Sequence, residues 1–323
     1  MSNTGPERIG PPAASGSAEP GSAGRERSRP GTRGDVAVVV VAYNAMPWLE
    51  RCLASVAGVE RVVVDHGSRD GSVEAARAAG ARVVEQENLG LAAGWNRGMR
   101  ETDSRYVLIL NADAWLIDDA LAKLVSFADA HPRAAVVGPR LRNPDGTLQR
   151  SVRGFPTLWR LATEYLFLRK LAPNTRALNA FYAGGFDHGS VTEAEFVMGA
   201  VMLVRREAVD EVGPLDESFF LFSEEVDWCY RFEQAAWQVF FTPDAEAVHV
   251  GGASHGGRLF DQQVLGHVRF LAKHRGLAYA ERARKLMVVS LRLRGVLFRG
   301  ERGRTYREGA RFLASGSAEA LLR

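Results

Sequence analysis

The chain has 323 residues, which is enough for one large domain or for one domain with extensions. Apolar residues make up 46% and charged residues 24%, an ordinary composition for a soluble globular protein. Its two cysteines, Cys52 and Cys229, lie far apart in sequence, which argues against a disulfide framework or a zinc site and indicates a reducing compartment.

The net charge of +3 is distributed unevenly along the chain. Residues 1–34 carry five Arg and three Glu, whereas residues 268–323 carry fourteen Lys or Arg against four Glu. The segment 35–267 between them therefore has a net charge of about −9. An acidic middle followed by a strongly basic end indicates contact with an anionic surface.

Residues 1–34 are rich in Gly, Pro, Ser, Ala and Arg and have almost no large apolar side chains. Such a segment cannot bury enough surface to offset the cost of ordering it, so we expect a disordered tail. No apolar core of about 7–15 residues follows its basic residues, so it is not predicted to be a secretory signal, and we expect a cytoplasmic location.

From Asp35 onward, short apolar runs alternate with helical patterns. Pro47 fits the first turn of a helix whose apolar stripe includes Leu49 and Leu53. Strands that alternate with helices predict βαβ units, and therefore an α/β fold with a mostly parallel central sheet flanked by helices. The first four predicted strands are 36–42, 61–64, 81–84 and 107–110.

The run 107–110 leads directly into a polar turn that contains Asn111 and Asp113. An uninterrupted apolar run predicts a strand buried on both faces, and the C-terminal tips of such strands are where open α/β sheets bind ligands. We therefore predict that Asp113 binds a metal ion that in turn binds a diphosphate. The alternative is that Asp113 only caps the following helix.

The usual phosphate-binding loops are missing from this predicted sheet. No G-x-G-x-x-G follows the first strand, and no G-x-x-x-x-G-K-S/T occurs anywhere in the chain. Their absence weighs against a dinucleotide oxidoreductase or a P-loop NTPase. A metal ion on Asp113 would serve in place of such a loop.

Eight segments occur in a fixed order along residues 35–255 and together resemble the signatures of family 2 glycosyltransferases. They are VVVAYN at 39–44, VDHGSRDGS at 64–72, NLGLAAG at 88–94, LNAD at 110–113, MGAVMLVRR at 198–206, GPLDESFF at 213–220, SEEVDWCYR at 223–231 and VHVGGAS at 248–254. The chain is most similar to the rhamnosyltransferase-like branch. The resemblance implies a Rossmann-like GT-A fold and an inverting, metal-dependent sugar transfer.

The resemblance also implies substrates and a cofactor. The expected donor is a dTDP- or UDP-sugar, with rhamnose as the suggested sugar, and the expected acceptor is a polyprenyl-linked or cell-envelope glycan. Mg²⁺ or Mn²⁺ would be recruited with the nucleotide. Asp113 and His249 are the predicted metal ligands; the family motif often has two acids where this sequence has Asn111 and Asp113, so only one carboxylate is firmly expected. His249, on a predicted strand at 245–250, could instead be a structural residue.

Nucleotide-binding residues carried over from the family are Ala42, Tyr43, Asn44, Asp65, Asn88, Gly90, Asn111 and Ala112. Among these, Asp65 is expected to accept a hydrogen bond from the ring N–H of a uracil or thymine. The alternative is a turn residue whose side chain binds its own backbone. Met198, Gly199 and Ala200 are predicted to lie on the acceptor side, where small residues allow a sugar to approach the backbone.

The segment 223–227 is predicted to begin a helix and to carry the catalytic acids. By resemblance, its second acid, Glu225, deprotonates the acceptor hydroxyl, although Glu224 could be the base instead, and Asp227 is a further catalytic candidate. The apolar run 219–222 predicts a buried turn, where a carboxylate has a raised proton affinity. Alternatively, Ser223 caps the helix and the acids only complement its dipole.

Two amphipathic basic segments, 158–171 and 286–298, are too short or too charged to span a bilayer. They fit helices that lie on an anionic membrane surface, here the inner face of the plasma membrane. We accordingly divide the chain into a tail, 1–34, a GT-A domain, 35–262, and a basic helical extension, 263–323. A plain helical extension or an oligomer contact is the alternative for this segment, and its apolar content disfavours nucleic acid.

Two other functions remain open. A sugar-nucleotide nucleotidyltransferase would share the fold class, but it requires a Gly-rich loop bearing Lys or Arg after the first strand, and residues 42–45 offer none. A catalytically silent, membrane-associated sugar-nucleotide-binding protein would be expected to have lost its acids, yet Asp113, Glu224 and Glu225 are all present.

Overall fold

The computed structural model describes residues 35–251 and 260–322, so the predicted disordered tail lies outside the described residues. The strands are β1 Val36–Ala42, β2 Glu60–Asp65, β3 Arg82–Glu85, β4 Tyr106–Leu110, β5 Ala114–Leu116, β6 Ala134–Arg142, β7 Leu148–Gln149, β8 Val152–Arg153, β9 Thr192–Glu193, β10 Phe196–Val197, β11 Val201–Arg205 and β12 Gln238–His249. The helices are α1 Trp48–Ser55, α2 Ser72–Ala78, α3 Leu91–Arg100, α4 Ala120–Ala130, α5 Leu158–Tyr165, α6 Arg176–Asn179, α7 Arg206–Val212, α8 Glu224–Gln234, α9 Phe260–Arg275, α10 Leu277–Leu297, α11 Gly300–Ala314 and α12 Ala318–Leu322.

A single large sheet organises the described chain, in the order β3-β2-β1-β4-β11-β6-β12-β5. Strands β1 to β4 are all parallel to one another, and β12 is parallel to β6. Strand β11 is antiparallel to both β4 and β6, and β5 is antiparallel to β12. Six of these eight strands thus run in one direction, which confirms the predicted mostly parallel α/β sheet.

The four strands predicted first are all present, with ends that move by one residue or less. Strand β1 has the predicted bounds, and β4 is buried along all five of its residues between β1 and β11. Each face of β4 packs against one of the two layers of helices, so all of its side chains must be apolar. The predicted strand at 245–250 is the C-terminal half of β12.

The sheet order fixes where a ligand binds. From β1 the chain moves outward to β2 and β3, and it then returns to place β4 on the other side of β1. The loops that follow β1 and β4 therefore leave the sheet in opposite directions, and a crevice opens between them at the carboxyl ends of the strands.

The C-terminal helices share the core of the sheet domain. Val264, Phe270 and Met287 are buried in the same hydrophobic cluster as Trp95 and Trp228. The predicted division after residue 262 falls inside α9. No helix in the ranges 35–251 and 260–322 is both long enough and apolar enough to cross a membrane.

Candidate active site

A cavity of about 560 Å³ opens at the carboxyl ends of β1 and β4. Most of the predicted site residues line it, although they come from six separate stretches of the chain. These are Tyr43, Asn88, Gly90, Asn111, Ala112, Asp113, Met198, Gly199, Ala200, Glu224, Glu225 and His249. The topology therefore brings the predicted metal, nucleotide, acceptor and catalytic residues to one place.

The loops after β1 and β2 are bound to each other beside the cavity. Asn44 does not line the cavity: its Oδ1 accepts the N–H of Arg69, and its own N–H donates to the hydroxyl of Ser68. Ala42, the last residue of β1, also lies outside the lining. Asp70 accepts the N–H of Met46, which adds a further hydrogen bond between the two loops.

Asp65 has one engaged and one free carboxylate oxygen. Its Oδ2 accepts the N–H groups of Gly67 and Ser68, each at 2.9 Å, which is the turn geometry expected of an Asp in this position. Its Oδ1 is buried and has no hydrogen-bond partner among the described residues. Asp65 itself lies outside the cavity lining, whereas the next residue, His66, lines the cavity. A buried acceptor without a partner is costly, so this oxygen suits a donor on a ligand, such as the ring N–H of a pyrimidine base.

Asp113 and His249 form the acid–imidazole pair predicted as metal ligands. The Nε2 of His249 lies 3.4 Å from Oδ1 of Asp113, and both residues are buried. The N–H of Gly251 donates to Oδ2 of Asp113, which fixes the carboxylate at the end of β12. Asp113 does not cap α4, whose N-cap residue is Asp119.

The hydrogen bonds of Gln149 determine how the His249 ring faces Asp113. The amide nitrogen of Gln149 donates to Asn143 and to the carbonyl of His249, so its oxygen accepts from Nδ1 of the imidazole at 2.8 Å. In the neutral ring, Nε2 then presents a lone pair to the Asp113 carboxylate. Two lone-pair-bearing atoms that face each other require a cation or a proton between them. The imidazole nitrogen and the carboxylate are therefore suitable ligands for a divalent metal ion.

The protein alone does not complete a metal site. Within the described residues, no group of three or more His, Cys, Asp or Glu side chains is arranged to hold a metal ion. A divalent ion at Asp113 and His249 would therefore take its remaining ligands from water, from a diphosphate or from the amide oxygen of Asn111. Mg²⁺ binds in this way in many phosphate-handling enzymes.

Glu224 and Glu225 begin α8 and line the same cavity, and each has a buried Oε2 with no hydrogen-bond partner in the part of the chain that the structure describes. Burial, reinforced by the neighbouring Glu225, raises the pKa of Glu224 well above its ordinary value. Burial also raises the pKa of Glu225, against the opposing effects of backbone N–H groups and of the nearby Arg153. Carboxylates with raised proton affinity are suited to accept a proton.

The backbone before these acids is strained. Phe222 and Ser223 have φ values of 68° and 72°. These values lie in the left-handed region, which residues other than glycine adopt at a cost of about 1–2 kcal/mol each. Ser223 occupies the N-cap position of α8, but its side chain makes no capping hydrogen bond, which speaks against the alternative interpretation that Ser223 only caps the helix. Such strain is typical of functional sites, where it fixes the direction of a side chain.

Asp227 is not part of the cavity, although it lies on the same helix as the two glutamates. Its fully buried carboxylate accepts hydrogen bonds from Arg231, Lys273 and His274. Burial opposes ionisation, but these three partners outweigh it and lower the pKa of Asp227. Asp227 therefore connects α8 to α9 and holds the helix that carries the acids.

Two glycines allow close approaches around the cavity. Gly90 has φ 97°, and a Cβ there would lie 2.4 Å from the carbonyl oxygen of Phe220. A Cβ on Gly199 would lie 2.9 Å from the ring of Trp95. Gly90 thus allows the loop before α3 to contact the segment that precedes Glu224. Gly199 allows residues 198–200, which lead into β11, to lie directly on the indole of Trp95.

Several cavity residues were not predicted from the sequence. His66, Phe220 and Leu221 line the cavity, and Gln149 acts from outside the lining by orienting His249. Trp95 lines the cavity with a buried indole N–H that has no partner among the described residues. The indole N–H groups of Trp228 and Trp237, by contrast, donate to a carbonyl and to a carboxylate. The signal available in the sequence was proximity to the motifs, as for His66 directly after Asp65.

Two solved structures have a similar fold. The mannosyltransferase PcManGT from Pyrobaculum calidifontis, in complex with GDP-Man and Mn²⁺, gives a TM-score of 0.52 at 17% identity and covers 90% of this chain and 87% of its own. GalNAc-T7 with UDP, GalNAc and Mn²⁺ gives 0.53 at 15% identity, with 87% and 56% coverage. The fold is therefore GT-A, and the predicted fold class is confirmed.

Sequence comparison places the chain within this class. The profile of Glycosyl transferase family 2 matches residues 37–213. The N-acetylglucosaminyl-diphospho-decaprenol L-rhamnosyltransferase of Mycobacterium tuberculosis is 31% identical over 231 residues, which are 66% of this chain and 75% of that protein. The protein belongs to glycosyltransferase family 2, in its rhamnosyltransferase-like branch.

Proposed function

We propose that the protein transfers rhamnose, with inversion, from a dTDP- or UDP-activated donor to a polyprenyl-diphosphate-linked or cell-envelope glycan acceptor. The observation that carries this proposal is that Asp113 and His249 line the same cavity as Glu224 and Glu225. A single displacement needs one group that accepts a proton and another that stabilises the leaving diphosphate. The cavity provides a pair of residues suited to each task.

In the proposed reaction, Glu225 is the general base. It is partly open to the cavity, whereas Glu224 is more deeply buried, and it lies beside Gly199 on the acceptor side. The acceptor oxygen forms a bond to the anomeric carbon while its proton moves to Glu225. The bond from the anomeric carbon to the diphosphate oxygen breaks, and the nucleoside diphosphate leaves.

Asp113 and His249 would hold Mg²⁺ or Mn²⁺ together with the donor diphosphate. When bound, the ion neutralises the negative charge that grows on the leaving oxygens without any proton transfer. The free Oδ1 of Asp65 supports a pyrimidine nucleotide, because uracil and thymine both present a ring N–H donor. The hydrogen bonds of Asn44 with Ser68 and Arg69 hold the loops that would surround the base.

A panel of nucleotide sugars tests the donor assignment. We expect dTDP-rhamnose or a UDP-sugar, with Mn²⁺ or Mg²⁺, to raise Tm more than a purine nucleotide sugar does. Mass spectrometry of a short-chain N-acetylglucosaminyl-diphosphate lipid should then show the addition of one sugar. Binding without transfer to any acceptor would support a silent binding protein, and release of pyrophosphate from a nucleoside triphosphate and a sugar phosphate would support a nucleotidyltransferase.

An anionic membrane surface is part of the proposed function, because the acceptor is lipid-linked. One face of α10 exposes an apolar patch of Val289, Leu293, Val296 and Leu297, with side chains between 50% and 82% exposed. Exposed cations lie on and beside this face at Arg282, Lys285, Arg292 and Arg299. Apolar side chains flanked by cations match the two components of an anionic bilayer interface.

Removing the cations of this face should release the protein from anionic vesicles. Each Lys or Arg near such a surface contributes about 1 kcal/mol, so Arg282→Gln, Lys285→Gln and Arg292→Gln together should weaken binding about a hundredfold. Co-sedimentation with phosphatidylglycerol vesicles measures the effect. Point variants are preferable to truncation, because α9 and α10 contribute to the core.

The matched control replaces three exposed cations in the N-terminal half, Arg69, Arg77 and Arg100, by Gln. It removes the same charge but leaves α10 intact, so it should remain bound to the vesicles. Equal release of both triple variants would show that only net charge matters. Unchanged sedimentation of the α10 variant would contradict the assignment of this face.

A further inference from the structure

Arg153, at the end of β8, is a cation next to the catalytic cavity, and no group among the described residues forms an ion pair with it. Its Nε is buried without a hydrogen-bond partner, and its Nη2 lies 3.5 Å from the sulfur of Met198, which lines the cavity. In the ranges 35–251 and 260–322, no carboxylate lies within 4.0 Å of its guanidinium. A partly buried guanidinium without an anionic partner is costly in a folded protein.

The groups around Arg153 leave it free for an anion. The ring of Tyr182 lies below the guanidinium carbon, at 4.9 Å from its centroid. His267 is also close, but burial lowers its pKa to about 4. It is therefore neutral near pH 7 and does not alter the charge around Arg153. Glu225 is near enough for Arg153 to lower its pKa, yet the two do not form an ion pair.

Arg153 also lines a second cavity, of about 290 Å³, and its contact with Met198 links this cavity to a residue that lines the first. Small residues form much of its wall, including Gly154, Ala180 and Ala194. Its other partly buried cation, Arg160, is already neutralised, because Glu195 accepts two hydrogen bonds from it at 2.5 and 2.6 Å. The guanidinium available to a ligand is therefore that of Arg153, with the exposed Arg176 on the same lining.

We propose that Arg153 and the second cavity bind the diphosphate of the acceptor, so that the acceptor sugar enters the first cavity beside Glu225. This inference rests on the proposed function, because it assumes a diphosphate-linked acceptor. A guanidinium binds phosphate oxygens through paired N–H donors, which gives orientation as well as affinity. Arg153 is thus a specificity-determining residue for anionic acceptors, and the donor diphosphate remains with Asp113 and His249.

Two acceptors that differ only in the diphosphate test this assignment. One is a short-chain N-acetylglucosaminyl-diphosphate lipid, and the other is octyl N-acetylglucosaminide. For Arg153→Met, we expect KM for the diphosphate acceptor to rise at least about tenfold, equivalent to about 1.4 kcal/mol. KM for the donor should be unchanged, and so should turnover of the neutral glycoside when it is measured on the alkaline plateau of the pH profile, where Glu225 is deprotonated in both proteins. For Arg153→Lys, KM for the diphosphate acceptor should lie between the values for the wild type and for Arg153→Met, because Lys keeps the charge but loses the paired donors.

Arg150→Met is the matched control, because Arg150 is exposed and lines neither cavity. It removes the same charge three residues away, and its kinetics should equal those of the wild type. Tm and the affinity for donor nucleotide show whether each variant is folded. An equal loss of kcat with both acceptors, accompanied by a shifted pH profile, would overturn the proposal and assign Arg153 to the ionisation of Glu225 instead.

Calorimetry without donor or divalent metal separates this inference from the proposed function. Wild-type protein should bind the diphosphate lipid, and Arg153→Met should bind it at least about tenfold more weakly. Equal affinity of wild type and variant would overturn the assignment of Arg153 while leaving the transfer reaction intact. Selective binding by the wild type with no sugar transfer would instead contradict the proposed function.

Discussion

Glu225→Gln is expected to lower kcat by at least about a hundredfold, since a positioned general base contributes about 10²–10⁴-fold to rate. Gln has nearly the shape of Glu, so the helix and the cavity should persist. The amide, however, cannot take up the proton of the acceptor hydroxyl. Affinity for the donor nucleotide should be unchanged, because Glu225 contacts the acceptor side at Gly199. Single-turnover transfer and nucleotide calorimetry measure the two quantities separately.

The pH profile gives an independent measure of the same assignment. Burial raises the pKa of Glu225, and a general base is active only when it is deprotonated. Activity should therefore fall as the pH is lowered through this raised pKa, above the range of an ordinary glutamate. The residual activity of Glu225→Gln should not show this acidic limb.

Glu224→Gln is the matched control for this prediction. It should keep measurable transfer, and its stability should change in a defined direction. Burial raises the pKa of Glu224, so its ionised form opposes folding, and this effect grows as the pH rises from the ordinary to the raised pKa. Glu224→Gln should therefore raise Tm at pH 8 relative to the wild type. Loss of transfer in Glu224→Gln with retention in Glu225→Gln would make Glu224 the base.

Asp113→Asn is expected to weaken metal-dependent binding of the donor nucleotide at least about tenfold, or about 1.4 kcal/mol. Asn keeps the size of the side chain and an acceptor for the N–H of Gly251, so the end of β12 should stay in place. It loses the negative charge that faces His249, and a divalent ion loses its one expected carboxylate ligand. Calorimetry with and without Mn²⁺ measures the metal-dependent part.

Asp118→Asn is the control for the metal assignment. Asp118 is exposed, lies outside the cavity lining and has φ 49°, a conformation that Asn adopts readily. It removes the same charge five residues away without touching the proposed ligands. Nucleotide affinity that depends equally on Mn²⁺ in wild type and Asp113→Asn would contradict a metal site at this position.

The sequence determined the positions of the strands and of most cavity residues. The runs 36–42 and 107–110 are apolar without interruption, which only a strand covered on both faces requires, so β1 and β4 were predicted from local pattern alone. Because parallel strands carry their C-terminal loops to one edge of the sheet, the predicted roles of Asn88, Asn111 and Asp113 converged on one cavity.

Only the tertiary structure decided the state of the individual side chains, because burial and hydrogen-bond partners come from residues distant in sequence. The ring of His249 is oriented by Gln149, which is 100 positions away. Asp227 has the spacing of a motif acid, but cations on α9 engage its carboxylate outside the cavity. Arg153 has no local pattern at all, and only the pairing of β8 with β10 places it next to Met198 and Glu225.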